Sequence, residues 1–378
     1  MDRSILDVIP HITQLPRETA CLWKAMLQQH GVFLPETIHA WKNLLDEAPR
    51  GLAPTLFVDL PPSDAHQLHQ FYGFPRIELP LLPGEPELSQ TLVSALSEPI
   101  PSLLTQSQIA FEVANTGQGA QIIVLLILDG LAYEDVLDWQ YPYKWQWTRR
   151  PCFVDGATLT ATGMPRVIGS PPLAHQLFQR GYKQHFGFTY WDRDSNDLTD
   201  TLFAEFSGSQ LTKVSEFAQI LERLANTRFD APTYIQIVRN GLDQFVHSYR
   251  ERPDIRHYLR ELEKSIHNLL DLLTNFQRSV RVYITADHGI LWYKQQSVAA
   301  IIENPRSARY VANDIDVSDS RFSRIHDMSA NYTVAVGLDH ILRRRHTNEW
   351  GFHGGISGRE SLVPFLAFDY RPQELPYA

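Results

Sequence analysis

The pattern of apolar and polar positions changes character near residue 110. Upstream, apolar residues recur at helical spacing: Leu22, Trp23, Met26 and Leu27 form one group. Trp41, Leu44 and Leu45 form another, after Pro35 and Glu36, which suit a helix start. Residues 1–110 are therefore expected to be a mainly helical region. The stretch from Pro80 to Pro101, rich in Pro, Gly, Ser and Glu, reads as an irregular connection at its end.

From residue 111 the chain alternates between short apolar runs and longer amphipathic stretches. Ile122–Leu128 is a continuous apolar run ending in Asp129-Gly130, the signature of a strand buried on both faces of a parallel sheet. Further strands are expected at Thr233–Val238, Val280–Thr285 and Leu362–Phe368, the last an edge strand or a strand start because of Pro364. Helices are expected at Pro172–Arg180, Leu211–Asn226 and Asp254–Phe276. Strands alternating with helices predict an α/β fold, a mostly parallel sheet with helices on both faces.

Composition leaves this picture standing: 43% hydrophobic and 20% charged residues are ordinary globular values. A net charge of −9 argues against tight binding to long nucleic acid. Two cysteines, Cys21 and Cys152, make no disulfide framework and fit a reducing compartment. The start MDRSILDVIP lacks the basic and apolar segments of a signal peptide. The Ile122–Leu128 run falls short of the roughly 20 residues that span a bilayer. A cytoplasmic protein with no membrane partner is expected.

The chemistry-bearing residues follow strands, where ligands of such sheets bind. Asp129 ends one strand, Asp287-His288-Gly289 follows another, and Asp243 and His247 follow a third at i, i+4 spacing. His353 stands in the glycine-rich Gly351-Phe-His-Gly-Gly-Ile-Ser357. Each has a plainer reading: a turn-capping Asp, a structural turn, a surface charge pair, a structural histidine. Taken together, three Asp and three His suit zinc or manganese better than magnesium, which prefers oxygen ligands. Two divalent ions, three carboxylates and a deprotonated hydroxyl bring the charge near neutral, as a two-metal centre for phosphate requires. The loop Thr158-Leu-Thr160-Ala-Thr162-Gly163-Met-Pro165-Arg166 offers the hydroxyl, a turn at Gly163 and Pro165, and in Arg166 a cation for a phosphate oxygen. The Arg343-Arg344-Arg345 run could hold further phosphates, or could close a helix whose dipole favours cations.

The order Asp-Gly, Thr loop, Asp-x-x-x-His, Asp-His-Gly, His-Gly-Gly resembles the alkaline phosphatase superfamily. The segment from His353 to Pro364, reading HGGISGRESLVP, is similar to the C-terminal signature of PglZ domains of bacterial phage-defence and signalling proteins. The resemblance covers roughly residues 120–368 and implies an alkaline phosphatase-like catalytic domain over 111–378. It implies one metal held by Asp129, Thr162, Asp287 and His288, and a second held by Asp243, His247 and His353. Thr162, four residues before Arg166, takes the place of the nucleophile, with Thr160 the fallback. The implied reaction is attack by threonine on phosphorus, a phosphothreonine intermediate and its hydrolysis by water. The expected substrate is a phosphoester, preferably a short nucleotide-type diester, and defence-complex proteins are the expected partners. A sulfatase would need a C/S-x-P-x-R pattern, which the Pro-Cys152-Phe segment lacks, and no phosphomutase-type serine loop is evident. A catalytically quiet PglZ scaffold subunit of a defence complex is the alternative.

Overall fold

The structure, a computed structural model, describes residues 92, 93, 95, 96 and 103–372, apart from 137–138, 143, 191–209, 247–251, 294–306, 313–321, 327–330, 336–340 and 344–345. The expected helical groups around Trp23 and Trp41 lie outside the described residues.

An eight-stranded mixed sheet forms the centre, in the order β1 (Leu104–Thr105), β3 (Gln146–Phe153), β13 (Leu362–Tyr370), β7 (Val280–Ala286), β2 (Ile122–Asp129), β6 (Thr233–Asn240), β4 (Gln184–Tyr190) and β5 (Gln210–Lys213). All neighbouring pairs are parallel except those of β13, which runs antiparallel to both β3 and β7. Every residue of β2 is buried, so both faces of the sheet are covered at its middle, as the unbroken apolar run requires. Helix α1 (Ile109–Thr116) packs against α2 (Thr160–Ile168) and α3 (Leu173–Gln179), and α4 (Phe217–Ala225) packs against α5 (Ile255–Thr274). In α5, Leu262, Ile266, Leu269 and Leu273 recur at three- and four-residue spacing and are fully buried. Its N-cap Asp254 accepts a hydrogen bond from the His257 N–H, which fixes where the helix starts.

Three expectations are corrected. Leu211–Asn226 is not one helix. Its first residues form the end of β5, pairing with β4, and α4 begins only at Phe217, its start held by bonds between Ser215 and Gln219. Strand β13 is interior rather than at the edge, and Pro364 lies near its start, the other of the two expected places. Pro364 is tolerated because it faces Pro151 of β3, and the ladder to β7 begins only at Leu366. The Thr158–Arg166 segment is a helix from Thr160 onward and not a turn, in spite of Gly163 and Pro165.

Beyond the sheet, β9 (Tyr310–Ala312), β10 (Phe322–His326) and β11 (Asn331–Ala335) form a small antiparallel sheet. The short strands β8 (Leu291–Trp292) and β12 (Gly351–Phe352) pair antiparallel, Leu291 opposite Phe352. The last helix, α6, covers Gly358–Ser361. No helix among the described residues is long and apolar enough to cross a membrane.

Candidate active site

Strands β7, β2 and β6 are adjacent and parallel, so their carboxyl ends open on one edge. There Asp129 ends β2, Asp287 and His288 follow β7, and Asp243 follows β6 in a 3-10 turn, Asp243–Phe245. Asp287 and His288 are fully buried and Asp129 nearly so. Asp287 is held by one carboxylate oxygen: Oδ1 accepts the N–H of Gly130 at 3.1 Å and of His288 at 2.9 Å. Gly130 makes this turn with φ +73°, a conformation that a side chain would strain. The other oxygen, Oδ2, is buried, has no hydrogen-bond partner among the described residues, and lies 3.5 Å from His288 Nε2. The carboxylate of Asp129 approaches the same nitrogen to 3.7 Å. His288 Nδ1 lies 3.1 Å from the Gly289 carbonyl and donates to it, which leaves the Nε2 lone pair facing the two carboxylates.

The pairing of β8 with β12 brings a second group to the first. His353 follows β12 and stacks on His288, ring centroids 4.2 Å apart and planes within 12°. His353 Nε2 is 3.3 Å from Asp243 Oδ1, while its Nδ1 lies 3.1 Å from the Thr158 carbonyl. Thr158 also grips the glycine loop through Gly354 N and Gly355 O, each at 2.8 Å. The loop is further fixed by Glu360. This carboxylate, fully buried, takes the Gly355 N–H, the Ser357 hydroxyl and a two-pronged contact from Arg309, also fully buried, at 2.6 and 3.0 Å. The Ser357 hydroxyl caps α6 in return.

The threonine that reaches this cluster is Thr160. Its Oγ1 lies 3.2 Å from His288 Nε2 and 3.5 Å from Asp129 Oδ1. Thr162, the expected nucleophile, sits two positions further along α2. Two residues rotate a helix by about 200°, so Thr162 faces away from the side that Thr160 presents. Helix α2 approaches the end of β7 so closely that a Cβ on Gly163 would stand 2.3 Å from the Asp287 carbonyl oxygen. Glycine at this point of the TATGMP sequence is therefore a packing requirement. Arg166, expected to grip phosphate, seats its guanidinium against Gly156, where a Cβ would come within 1.7 Å of Nη1. His247 lies outside the described residues. In the arginine run, Arg344 and Arg345 lie outside the described residues, while Arg343 is in a bend and binds Glu349 with both Nη atoms, at 2.5 and 2.7 Å.

The donor atoms form two overlapping groups, Asp129–Asp287–His288 and Asp243–His288–His353, each within a 4.8 Å span. Burial pushes the Asp129 carboxyl well above the usual carboxylate range, and the charges of Asp287 and Asp243 push it further; the hydrogen bond from Thr160 works in the opposite direction. Three carboxylates packed this closely, one with an unpartnered buried oxygen, fit a cation-binding centre. Divalent ions would offset their repulsion and complete the valence of Asp287 Oδ2.

Residues 130–332, more than half of the chain, match the family described as type I phosphodiesterase/nucleotide pyrophosphatase. The chain belongs to this family. Its members are hydrolases of the alkaline phosphatase superfamily. The family match stops short of both Asp129 and His353, which the fold brings to the same centre. No curated protein sequence matches the chain. Among solved structures, an inactive variant of murine ectonucleotide pyrophosphatase/phosphodiesterase 5 in complex with AMP is similar at 12% identity, covering 66% of this chain and 88% of that one, with a TM-score of 0.43. Phosphonoacetate hydrolase from Sinorhizobium meliloti, in complex with phosphonoformate, is similar at 12% identity over 68% and 92% of the two chains, with a TM-score of 0.45. The zinc complex of the C-terminal periplasmic domain of Escherichia coli EptC gives 10% identity, 67% and 73%, and a TM-score of 0.37.

For this phosphodiesterase-family chain, sequence reasoning missed the supporting residues. Arg309 and Glu360 are far apart in sequence and carry no local signal, although Ser357-x-x-Glu360 is a helix-start pattern that could have flagged Glu360. Gln106 lies in a stretch that the apolar pattern leaves featureless.

Proposed function

We propose that this chain is a PglZ-type, metal-dependent phosphodiesterase that acts on short nucleotide-derived diesters with Thr160 as its nucleophile. The observation that carries the reading is the Thr160 hydroxyl, in reach of both His288 and Asp129 at the middle of the ligand cluster. Asp129, Asp287, His288 and Thr160 would hold one divalent ion; Asp243 and His353, with His247 assigned by its sequence spacing, would hold the other. The mixed Asp/His donor set favours zinc, with manganese second. Such ions lower the pKa of a hydroxyl and offset the charge that builds on the phosphoryl oxygens.

The chain's own groups supply the rest. Thr160 is the first residue of α2, so its oxygen stands at the positive end of a helix. By helix geometry the Thr160 and Ala161 N–H groups have no intrahelical acceptor, which makes them donors for a phosphoryl oxygen. Asp129 orients the hydroxyl by accepting its hydrogen bond. The Thr160 hydroxyl gives up its proton and its oxygen forms a bond to phosphorus as the bond to the leaving oxygen breaks; that oxygen takes up a proton and departs as the alcohol, and water then cleaves the threonine ester and restores the hydroxyl. His288 and His353 are held in one tautomer by the Gly289 and Thr158 carbonyls, so their Nε2 atoms face the reacting centre.

The preference for diesters rests on charge. The centre is near neutral once loaded, a diester brings one negative charge and a monoester nearly two. Arg343 is bound to Glu349, which leaves Arg166 as the candidate for the extra cation that a monoesterase wants. The family description, naming phosphodiesterase and nucleotide pyrophosphatase, supports a nucleotide-type substrate. Short length follows from the net charge of −9, which repels a long polyanion. The resemblance of residues 353–364 to PglZ domains motivates a role in phage defence. The buried free thiol of Cys152 fits action in the reducing cytoplasm. A side-by-side rate comparison of bis-p-nitrophenyl phosphate, p-nitrophenyl phosphate and dinucleotides tests the reading. Higher kcat/KM for the diesters is expected. Higher kcat/KM for the monoester overturns the diester assignment, and no turnover by metal-loaded protein favours the quiet scaffold.

A further inference from the structure

Gln106 lies in the 3-10 turn Gln106–Gln108 that follows β1, upstream of the segment that matches the family. It is fully buried. Its side-chain Nε2 donates to two successive carbonyls at the end of β7, Ala286 O at 2.9 Å and Asp287 O at 2.6 Å. The ladder between β2 and β7 ends at the pair Leu128–Ala286, so the Asp287 carbonyl has left the sheet by this point. A carbonyl beyond its ladder and away from water needs a donor, and the amide supplies it. Only the NH2 end can face two carbonyls, so the orientation of the amide is fixed.

The other end of the amide is costly. Gln106 Oε1 is buried with no hydrogen-bond partner among the described residues. An apolar side chain would avoid this unpartnered oxygen but would strand the Asp287 carbonyl, so the position uses the donor pair rather than the bulk. The turn is also tied to the nucleophile's approach. The Ser107 N–H and hydroxyl both donate to the Asp155 carboxylate, a few residues before Thr160. Gly163 of α2 approaches the same carbonyl, whose oxygen would stand 2.3 Å from a Cβ added there.

We propose that Gln106 is a positioning residue of the metal centre: it pins the backbone at Asp287, and through it aims Asp287 Oδ2 and His288 Nε2 at a shared cation. Asp287 is then tethered at both ends, its carbonyl by Gln106 and its Oδ1 by the Gly130 and His288 N–H groups. Partners of this kind, one step removed from a ligand, typically change metal affinity by about 10- to 100-fold. Thr160 benefits from the same pin, because its helix and the β7 end meet at the carbonyl that Gln106 holds.

The inference rests on the two-metal reading, and its test separates the two. Metal-free wild type and Gln106→Met, which keeps length and volume but removes the donors, are titrated with Zn2+ against a chromophoric chelator. Two binding events are expected in the wild type, one lost in Asp129→Ala and the other in His353→Ala. In Gln106→Met the event lost in Asp129→Ala should weaken by about 10- to 100-fold. The other should keep its affinity. Wild-type affinity at both events overturns the inference, even where the unfolding temperature falls, since Gln106 would then brace the fold alone. Should the methionine variant fail to fold, Gln106→Asn, which keeps the amide but shortens its reach, is read in the same way. There, a selective loss at the first event supports the inference and equal behaviour at both overturns it. A wild type that binds no Zn2+ removes the metal reading itself, and this inference with it.

Discussion

Thr160 and His288 meet at 3.2 Å, hydroxyl oxygen to Nε2, although they stand on a helix and a strand end far apart in sequence. The contact depends on Gly163, which lets α2 approach the end of β7, and on the Gly289 carbonyl, which turns the His288 lone pair toward the threonine. It joins the candidate nucleophile to the candidate ligands.

Chelation should therefore both inactivate and destabilise the protein. With Zn2+ or Mn2+ at about 1,000 times its dissociation constant, binding adds about 4 kcal/mol per independent site. Differential scanning calorimetry with and without chelator should show a large fall in unfolding temperature, reversed by the metal. Equal unfolding temperatures would show that no ion binds the folded state preferentially.

The pH dependence of the metal-free protein has a definite sign. Burial, then the charges of Asp287 and Asp243, hold the Asp129 carboxyl above its unfolded value of about 3.9. A carboxyl raised on folding contributes stability below the unfolded pKa, and that contribution is lost as pH rises through the folded one. Metal-free protein should thus lose stability as pH rises from about 4 toward neutrality. Asp129→Asn should stabilise the metal-free form at neutral pH while abolishing binding at its site. Urea titrations across pH check both; a less stable Asp129→Asn would show that the carboxylates do not repel one another.

Gly163→Ala should be destabilising, against local propensity. Alanine favours a helix by about 1 kcal/mol over glycine. Its Cβ would, however, stand 2.3 Å from the Asp287 carbonyl oxygen, and overpacking of this kind costs about 1–3 kcal/mol. Chemical denaturation measures the net, and kcat/KM should fall further than stability because Thr160 is displaced. A stabilised variant would contradict the close packing.

Glu360→Ala should cost about 3–5 kcal/mol, since it leaves Arg309 buried without its carboxylate partner. The loop carrying His353 loses its anchor at Gly355 at the same time. Denaturant unfolding reads the first effect and metal stoichiometry the second. Unchanged stoichiometry would show that the loop holds its shape without Glu360.

Much of this site was legible in the sequence because buried parallel strands announce themselves. Ile122–Leu128 reads as a strand buried on both faces, and a carboxylate placed directly after such a strand lies at the sheet rim. The same logic located Asp287, His288 and Asp243. The choice between Thr160 and Thr162 was not legible, because it depends on the phase of a helix that Gly163 and Pro165 disguise as a turn. Arg166 stands on the same helix, six residues after Thr160, and its guanidinium reaches back to lie against Gly156. The interior place of β13 was hidden by Pro364, whose tolerance depends on which neighbour each part of the strand pairs with. Gln106 and Arg309 act through tertiary contacts, which no local pattern marks, while Glu360 carries only the helix-start pattern Ser357-x-x-Glu360.

The central claim is that Thr160 carries the chemistry. Acid quenching of a single turnover with a phosphodiester, followed by peptide mapping by mass spectrometry, tests it most directly. The account predicts a phosphoryl adduct on Thr160 in the wild type, absent from Thr160→Ala. An adduct on Thr162, or wild-type turnover by Thr160→Ala, would contradict it.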